Sequence, residues 1–284
     1  MRIKELLHLL RVHQWYKNLV VFLALFFSGN VLNLDLLLTS ILAFVSLCLI
    51  SGANYIINDL ADLRKDRLQA EKRVRPLASG KVSTATGIIV ALLCLGGGLV
   101  IAYNIGIQFL VAALLLFTLS QLYTFYLKNI VFADILAIAT LFVIRAIAGA
   151  LSINVTISPW LILCPFFLSL FLSVGKRHAE LHLLKEKAAA TRKVLREYNH
   201  ELTDSLMVIS TTLLIISYAL YSFLSEHRNL LYTLPFALFV IFRFYYLIKS
   251  GSEIGRHPEN VIKDKVMVMG MLLWILVTAG LIYI

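Results

Sequence analysis

Charge is scarce in this chain, and so is cysteine. Only 15% of its 284 residues are Asp, Glu, Lys or Arg, while 60% are hydrophobic. A soluble domain carries roughly a quarter charged residues, so the shortage excludes an ordinary water-soluble globule. The three cysteines, Cys48, Cys94 and Cys164, all lie inside apolar runs. They match neither a disulfide framework nor a zinc-ligand spacing and read as small packing residues. His13, His178, His182, His200 and His257 lie in or beside polar stretches, and none makes a metal spacing with a carboxylate. The start, Met1–Arg11, lacks the apolar core of a cleavable signal peptide. Its Ile3, Leu6, Leu7 and Leu10 recur at helical spacing, which predicts a short interfacial helix over 1–11.

The apolar excess comes as repeated runs of about 17–25 residues, the length that crosses a bilayer as a helix. The reading is an all-α, polytopic membrane protein forming one domain over residues 1–284, with nine spans. These fall at roughly 17–35, 36–57, 83–103, 107–127, 133–152, 159–175, 205–225, 231–248 and 265 to the end. Positive charge is then missing from one side. The N-terminal segment, the loops 58–82, 176–204 and 249–265, and Lys128 hold 23 of the 26 Lys and Arg, and the opposite loops hold only Arg228. Arg145 and Arg243 fall within spans. A bias of this strength puts the N-terminus and the long charged loops in the cytoplasm, and nine spans put the C-terminus outside. The net charge of +10 therefore borders a lipid bilayer and does not point to nucleic acid. A transporter would be expected to hold its polar groups near mid-membrane on broken helices. Here they gather on the charged side, as suits an enzyme acting on a lipid head group.

Residues 58–81, NDLADLRKDRLQAEKRVRPLASGK, break the apolar chain with four acids and seven Lys/Arg. Asn58, Asp62 and Asp66 recur at i, i+4 and i+8, which on one continuous helix puts them on one face, with Asp59 beside them. Three hard-oxygen side chains can hold Mg²⁺, which usually accompanies a phosphate. Lys72, Arg73 and Arg75 behind them can hold the anion. The rival reading is a solvated helix end, its acids paired with Arg64, Lys65 and Arg67. A second cluster, Gly175-Lys176-Arg177-His178-Ala179-Glu180, reads either as a second phosphate surface or as a membrane anchor. A third, Gln14-Trp15-Tyr16-Lys17-Asn18, combines aromatic-belt residues with the donors Lys17 and Asn18. Tyr123, Tyr126, Lys128 and Asp134 bracket the turn between the fourth and fifth spans. Arg145 lies about three turns into the fifth span, where a charge is expensive and faces a partner or a cavity.

The pattern Asn58-Asp59-Leu60-Ala61-Asp62-Leu63-Arg64-Lys65-Asp66, followed by Lys72-Arg73-Val74-Arg75-Pro76-Leu77-Ala78-Ser79-Gly80, resembles the UbiA superfamily of intramembrane prenyltransferases. The resemblance implies nine helices around a central cavity with a lateral opening to lipid, and Mg²⁺-diphosphate chemistry at the cytoplasmic mouth. A narrower likeness joins Arg11-Val12-His13-Gln14-Trp15-Tyr16-Lys17-Asn18, Tyr126-Leu127-Lys128-Asn129 with Asp134, Arg145-Ala146-Ile147-Ala148-Gly149-Ala150, Ser158-Pro159-Trp160 and the segment 175–181. Together these are similar to the decaprenyl-phosphate phosphoribosyltransferases. That likeness implies transfer of 5-phosphoribose from 5-phosphoribosyl 1-diphosphate to a polyprenyl phosphate, with release of diphosphate. The sequence departs from the superfamily pattern twice. Where aromatic prenyltransferases carry a second DxxxD motif, this chain has Lys176 and Glu180 around Arg177 and His178. Gln69-Ala70 stands where His-Pro is expected.

On this reading Asn58, Asp62 and Asp66 hold Mg²⁺, with Asp59 in the same catalytic group. Lys72, Arg73 and Arg75 hold the leaving diphosphate. Lys17, Asn18, Tyr126, Lys128, Asp134, Arg145, Lys176 and Arg177 complete the substrate-binding set. The setting is a prokaryotic inner membrane. One rival is an aromatic prenyltransferase acting on a prenyl diphosphate and a phenolic acceptor; another is a lipid transporter without catalysis. The basic Lys176–Glu180 segment argues against the first, and the one-sided polar clusters argue against the second.

Overall fold

The structure, a computed structural model, describes residues 3–69, 72–184, 193–225 and 228–284. Among them there is no β-strand, and eight helices are long and apolar enough to cross a membrane. The chain is an all-α, multi-pass membrane protein. It divides into two compact units: Met1–Leu127 with Ile144–Ile157, and Lys128–Val143 with Ser158–Ile284.

The first unit opens with α1 (Ile3–Leu9), a 3₁₀ stretch (Val12–Val21) and α2 (Phe22–Phe27). Next come α3 (Leu34–Ala61), α4 (Leu63–Leu68), α5 (Thr84–Ile105) and α6 (Ile107–Phe125). The Asn33 side chain accepts from the backbone N–H groups of Asp35 and Leu36 to start α3, and Ser83 accepts from Thr86 N–H to start α5. At 28 residues α3 runs about 42 Å, longer than the roughly 30 Å hydrocarbon core, so its last turns carry polar residues past the apolar layer. Leu9 and Leu10 are buried with Ala53, Ile56, Leu77 and Val82, tying α1 to the α3–α5 pair. The outer face of α5 presents Leu92 and Leu93, which are exposed. In water such a face would be a liability; in a bilayer it is the surface that meets lipid tails.

The helix α7 (Ala133–Ser152) contributes to both units. The second unit adds α8 (Pro159–Leu184), α9 (His200–Leu224), α10 (Leu234–Lys249), the short α11 (Glu253–Arg256) and α12 (Lys265–Tyr283). Phe171, Val174, Met207, Phe244, Ile248 and Met267 fill its core. Asn199 accepts from Leu202 N–H at 2.7 Å, and Asp264 from Met267 N–H at 2.7 Å, so each caps the helix that follows it.

Three stretches depart from the expected spans. The first span, expected over 17–35, is a 3₁₀ segment leading into six residues of α-helix, and it ends at a turn where Gly29 takes a φ of +72°. The single helix expected to carry Asn58, Asp62 and Asp66 is jointed at Asp62, where α3 ends and α4 begins, yet Asp62 N–H donates to Asn58 O at 3.0 Å and Asp66 N–H to Asp62 O at 2.9 Å, so the i, i+4 spacing carries across the joint. The charged loop expected from Lys176 is helix as far as Leu184. Lys176 to Leu184 contains neither Pro nor Gly, so nothing local stops the helix at the membrane boundary. Residues 185–192 of that expected loop, and Ala70 of the departure at 69–70, lie outside the described residues.

Candidate active site

In the first unit the acids converge on arginine. Arg75 Nη1 donates to Asp66 Oδ2 at 2.6 Å and to Asp59 Oδ1 at 3.0 Å. Arg11 Nη2 donates to the same Asp59 Oδ1 and its guanidinium lies over the Tyr55 ring, 5.1 Å from the centroid. Lys72 Nζ stands 4.0 Å from Asp66 Oδ1. Asp59 and Asp66 are buried, whereas the Arg75 side chain keeps 26% of its surface exposed. Burial pushes the Arg11 guanidinium below its ordinary value, and Asp59 opposes the shift. The carboxylates are therefore charge-balanced by guanidinium groups, one of which reaches solvent.

Asp62 stands apart, half-exposed, 3.9 Å from Lys65. Asn58 Oδ1 is buried and has no hydrogen-bond partner among the described residues. An orphaned buried acceptor costs about 1–3 kcal/mol, and a water or a hard cation would satisfy it. No group of three or more His, Cys, Asp or Glu among the described residues holds a metal unaided. Mg²⁺ seldom needs one, since it keeps waters and takes substrate oxygens. A carboxylate offers about four lone-pair sites, so Arg75 and Lys72 do not exhaust Asp66. Asn58, Asp62 and Asp66 thus fit such an ion in donor chemistry.

Further along α3 a second polar group is buried. Arg145 Nε donates to Asn18 Oδ1 at 2.8 Å, and Asn18 Nδ2 reaches Cys48 Sγ at 3.2 Å and Ser51 Oγ at 3.4 Å. Gly149 makes this possible. A Cβ there would collide with the backbone of Val21, so only glycine lets α7 close on the 3₁₀ stretch that carries Asn18. Gln121 donates to Asn54, one turn before Asn58. Lys17 donates to Gln14 Oε1 at 3.2 Å, Arg73 is exposed, and Tyr126 is 66% exposed.

The second unit holds a different arrangement. Arg177 Nε donates to Asp134 Oδ2 at 2.9 Å and its Nη1 to Glu180 Oε2 at 2.7 Å. The Tyr198 hydroxyl donates to Asp134 Oδ1 at 2.7 Å and accepts from Phe132 N–H at 3.1 Å. Asp134, Arg177 and Tyr198 are all buried. His178 Nδ1 is 3.1 Å from Thr203 Oγ1 and 3.0 Å from Asp204 Oδ1. Lys128 and Lys176 are half-buried.

The structure thus joins Asp59, Asp66, Lys72 and Arg75, joins Asn18 with Arg145, and joins Asp134 with Arg177. Among the residues that touch these groups, Arg11 and Tyr198 each bond a buried carboxylate and carried no role from the sequence. Each is 48 or more residues from its carboxylate partner, so periodicity gives no signal of either.

In the first unit hard-oxygen side chains thus stand beside Arg75 and Lys72 at the end of α3, a helix long and apolar enough to cross a membrane. The family model for the UbiA prenyltransferase family matches residues 18–256, and the chain belongs to that family. It is 31% identical to a decaprenyl-phosphate phosphoribosyltransferase of Mycolicibacterium smegmatis over 99% of this chain and 93% of that one. It is also 31% identical to the protein of that name from Corynebacterium glutamicum, over 97% and 86%. Among solved structures, a UbiA homolog from Archaeoglobus fulgidus bound to GPP and Mg²⁺ shares the fold, with a TM-score of 0.75 at 19% identity, covering 99% of this chain and 100% of the other. The family places the chain among membrane transferases.

Proposed function

We propose that the chain transfers 5-phosphoribose from 5-phosphoribosyl 1-diphosphate to a polyprenyl phosphate, releasing diphosphate, with its charged loops on the cytoplasmic face of a prokaryotic inner membrane. The observation that carries the reading is the end of α8. The family resemblance leads one to expect a second acidic pair there, and this chain has Lys176, Arg177 and Glu180 instead. Cations suit a protein that must hold a lipid phosphate and a sugar phosphate as well as a diphosphate. The near-full-length similarity to two proteins named decaprenyl-phosphate phosphoribosyltransferase supports it. The Lys/Arg bias supports the orientation.

Asn58, Asp62 and Asp66 would hold Mg²⁺, which offsets charge on the leaving diphosphate. Arg75, with Lys72 and Arg73, binds the diphosphate oxygens, and Asp59, fixed by Arg11, orients Arg75. An oxygen of the lipid phosphate attacks ribose C1. The C1–O bond to diphosphate breaks and its electron pair departs with the diphosphate. The attacking phosphate is already anionic, so no general base is required. Lys128, Lys176 and Arg177, the last oriented by Asp134, hold the lipid phosphate. Lys17, Asn18, Tyr126 and Arg145 complete the binding set.

The test is purified protein with Mg²⁺, radiolabelled 5-phosphoribosyl 1-diphosphate and undecaprenyl phosphate. Label should enter the lipid phase only when both substrates are present. No label there, with prenylation of a hydroxybenzoate from a prenyl diphosphate instead, would overturn the proposal.

A further inference from the structure

Tyr198 sits where three pieces of the second unit meet. Its hydroxyl donates to Asp134 Oδ1 at 2.7 Å, while Arg177 Nε takes the other oxygen at 2.9 Å. The same hydroxyl accepts from Phe132 N–H at 3.1 Å, and the two rings pack edge to face with centroids 6.2 Å apart. Phe132 has a φ of +64°, a conformation a bulky side chain adopts only when its surroundings impose it. Val194 and Leu195, just before Tyr198, are buried too, so the segment that carries the phenol is anchored. Burial, with the bond to Asp134 adding to it, pushes the phenol well above its ordinary pKa, so it stays a donor.

These contacts have one common effect. They fix the turn 128–134, which carries Lys128, and through Asp134 they fix the guanidinium of Arg177. We infer that Tyr198 is a positioning residue that holds Lys128 and Arg177 in place for the lipid phosphate. The inference rests on the function proposed above. Tyr198 needs no contact with either substrate. Its influence is read on the lipid phosphate, to which Lys128 and Arg177 are assigned, and not on the diphosphate, which is assigned to side chains of the other unit.

The experiment compares the wild type with Tyr198→Phe, which removes one oxygen and keeps the ring. Equilibrium binding of undecaprenyl phosphate in detergent micelles is measured beside the KM for each substrate. The Kd and KM for undecaprenyl phosphate should rise about tenfold, the expected loss for one charge-assisted hydrogen bond. The KM for 5-phosphoribosyl 1-diphosphate should stay within about twofold. Asp134→Asn should show the same lipid-selective change, and adding Tyr198→Phe to it should cause little more, since both act through one contact.

Unchanged lipid Kd and KM in Tyr198→Phe would overturn the inference. So would a parallel rise in both KM values, the mark of a merely structural role. Should Tyr198→Phe fail to fold, Asp134→Asn decides the matter on the same two measurements. If the wild type binds the lipid phosphate but transfers no label, the proposed function fails while the Kd comparison still decides the role of Tyr198. A wild type that binds no lipid phosphate defeats both.

Discussion

The two polar clusters are built from the same ingredients to opposite ends. Each pairs buried carboxylates with arginine. In the second unit Arg177 and Asp134 are sealed, with 3% and 0% of their side-chain surface exposed, and Tyr198 and Glu180 close the network. In the first unit Arg75 bridges two carboxylates yet stays 26% exposed, and Asn58 Oδ1 has no hydrogen-bond partner among the described residues. A network satisfied by its own members fixes a shape. One with a spare acceptor and an accessible guanidinium is arranged to receive something. Beyond the lipid binding proposed for Arg177, the sealed cluster should therefore weigh more on stability, and the open one on turnover.

The largest effect should come from opening the sealed cluster. Arg177→Met removes the guanidinium partner of the buried Asp134 carboxyl, with Tyr198 still donating to it. Breaking a buried pair from one side costs about 3–5 kcal/mol, so the thermal unfolding midpoint in micelles should drop sharply. A midpoint near that of the wild type would show that the pair is not sealed after all. Next comes the open cluster. Asp66→Asn leaves Arg75 on Asp59 and removes a charge assigned to the metal. Turnover should fall about 10²–10³-fold with little change in the unfolding midpoint. Asp62→Asn should act likewise, from a side chain that is already half-exposed. Near-normal activity in both variants would remove the metal role, and a midpoint loss as large as that of Arg177→Met would erase the contrast.

Much of this was readable in advance. Hydropathy marks the eight long helices, and Asn33, Ser83, Asn199 and Asp264 are typical capping residues. The family resemblance rests on motifs that are contiguous in sequence. What could not be read was set by contacts between distant residues. Helical spacing aligns Asn58, Asp62 and Asp66, but it does not show the joint at Asp62, nor that Arg75 joins Asp66 to Asp59, 16 residues from itself. No composition rule announces that joint, for Leu60-Ala61-Asp62-Leu63 contains neither Pro nor Gly. The density of Lys and Arg after Gly175 reads as loop because positive charge marks a membrane boundary. Charge sets topology without ending a helix, and α8 runs on to Leu184.

Gly149 tests whether the first unit's deep polar group depends on backbone approach. Gly149→Ala drives a methyl into the Val21 backbone, and such overpacking costs about 1–3 kcal/mol. The 3₁₀ stretch should move off α7 and lengthen the bond from Arg145 to Asn18. Activity should fall alongside the unfolding midpoint, and Asn18→Ala should then add little, as the two act on one contact. Fully additive losses would mean that Gly149 and Asn18 act independently.

The smallest effect lies outside both clusters and checks that the contrast concerns burial rather than charge pairing as such. Asp264 accepts from Arg243 Nη2 at 2.8 Å and caps α12 through Met267 N–H. The bond from Arg243, and then the cap, hold its carboxyl below the usual range. A depressed carboxyl pKa contributes stability above the unfolded-state value, and that contribution is lost as pH falls through the folded one. The unfolding midpoint should therefore decline slightly on the acid side of the ordinary carboxylate range, and Asp264→Asn should flatten that decline. Because Asp264 and Arg243 are both partly open to solvent, screening keeps the change small, and added salt should shrink it further. Salt should leave the effect of Arg177→Met almost untouched, since a sealed pair is poorly screened. Equal salt sensitivity at the two sites would mean that exposure does not separate them.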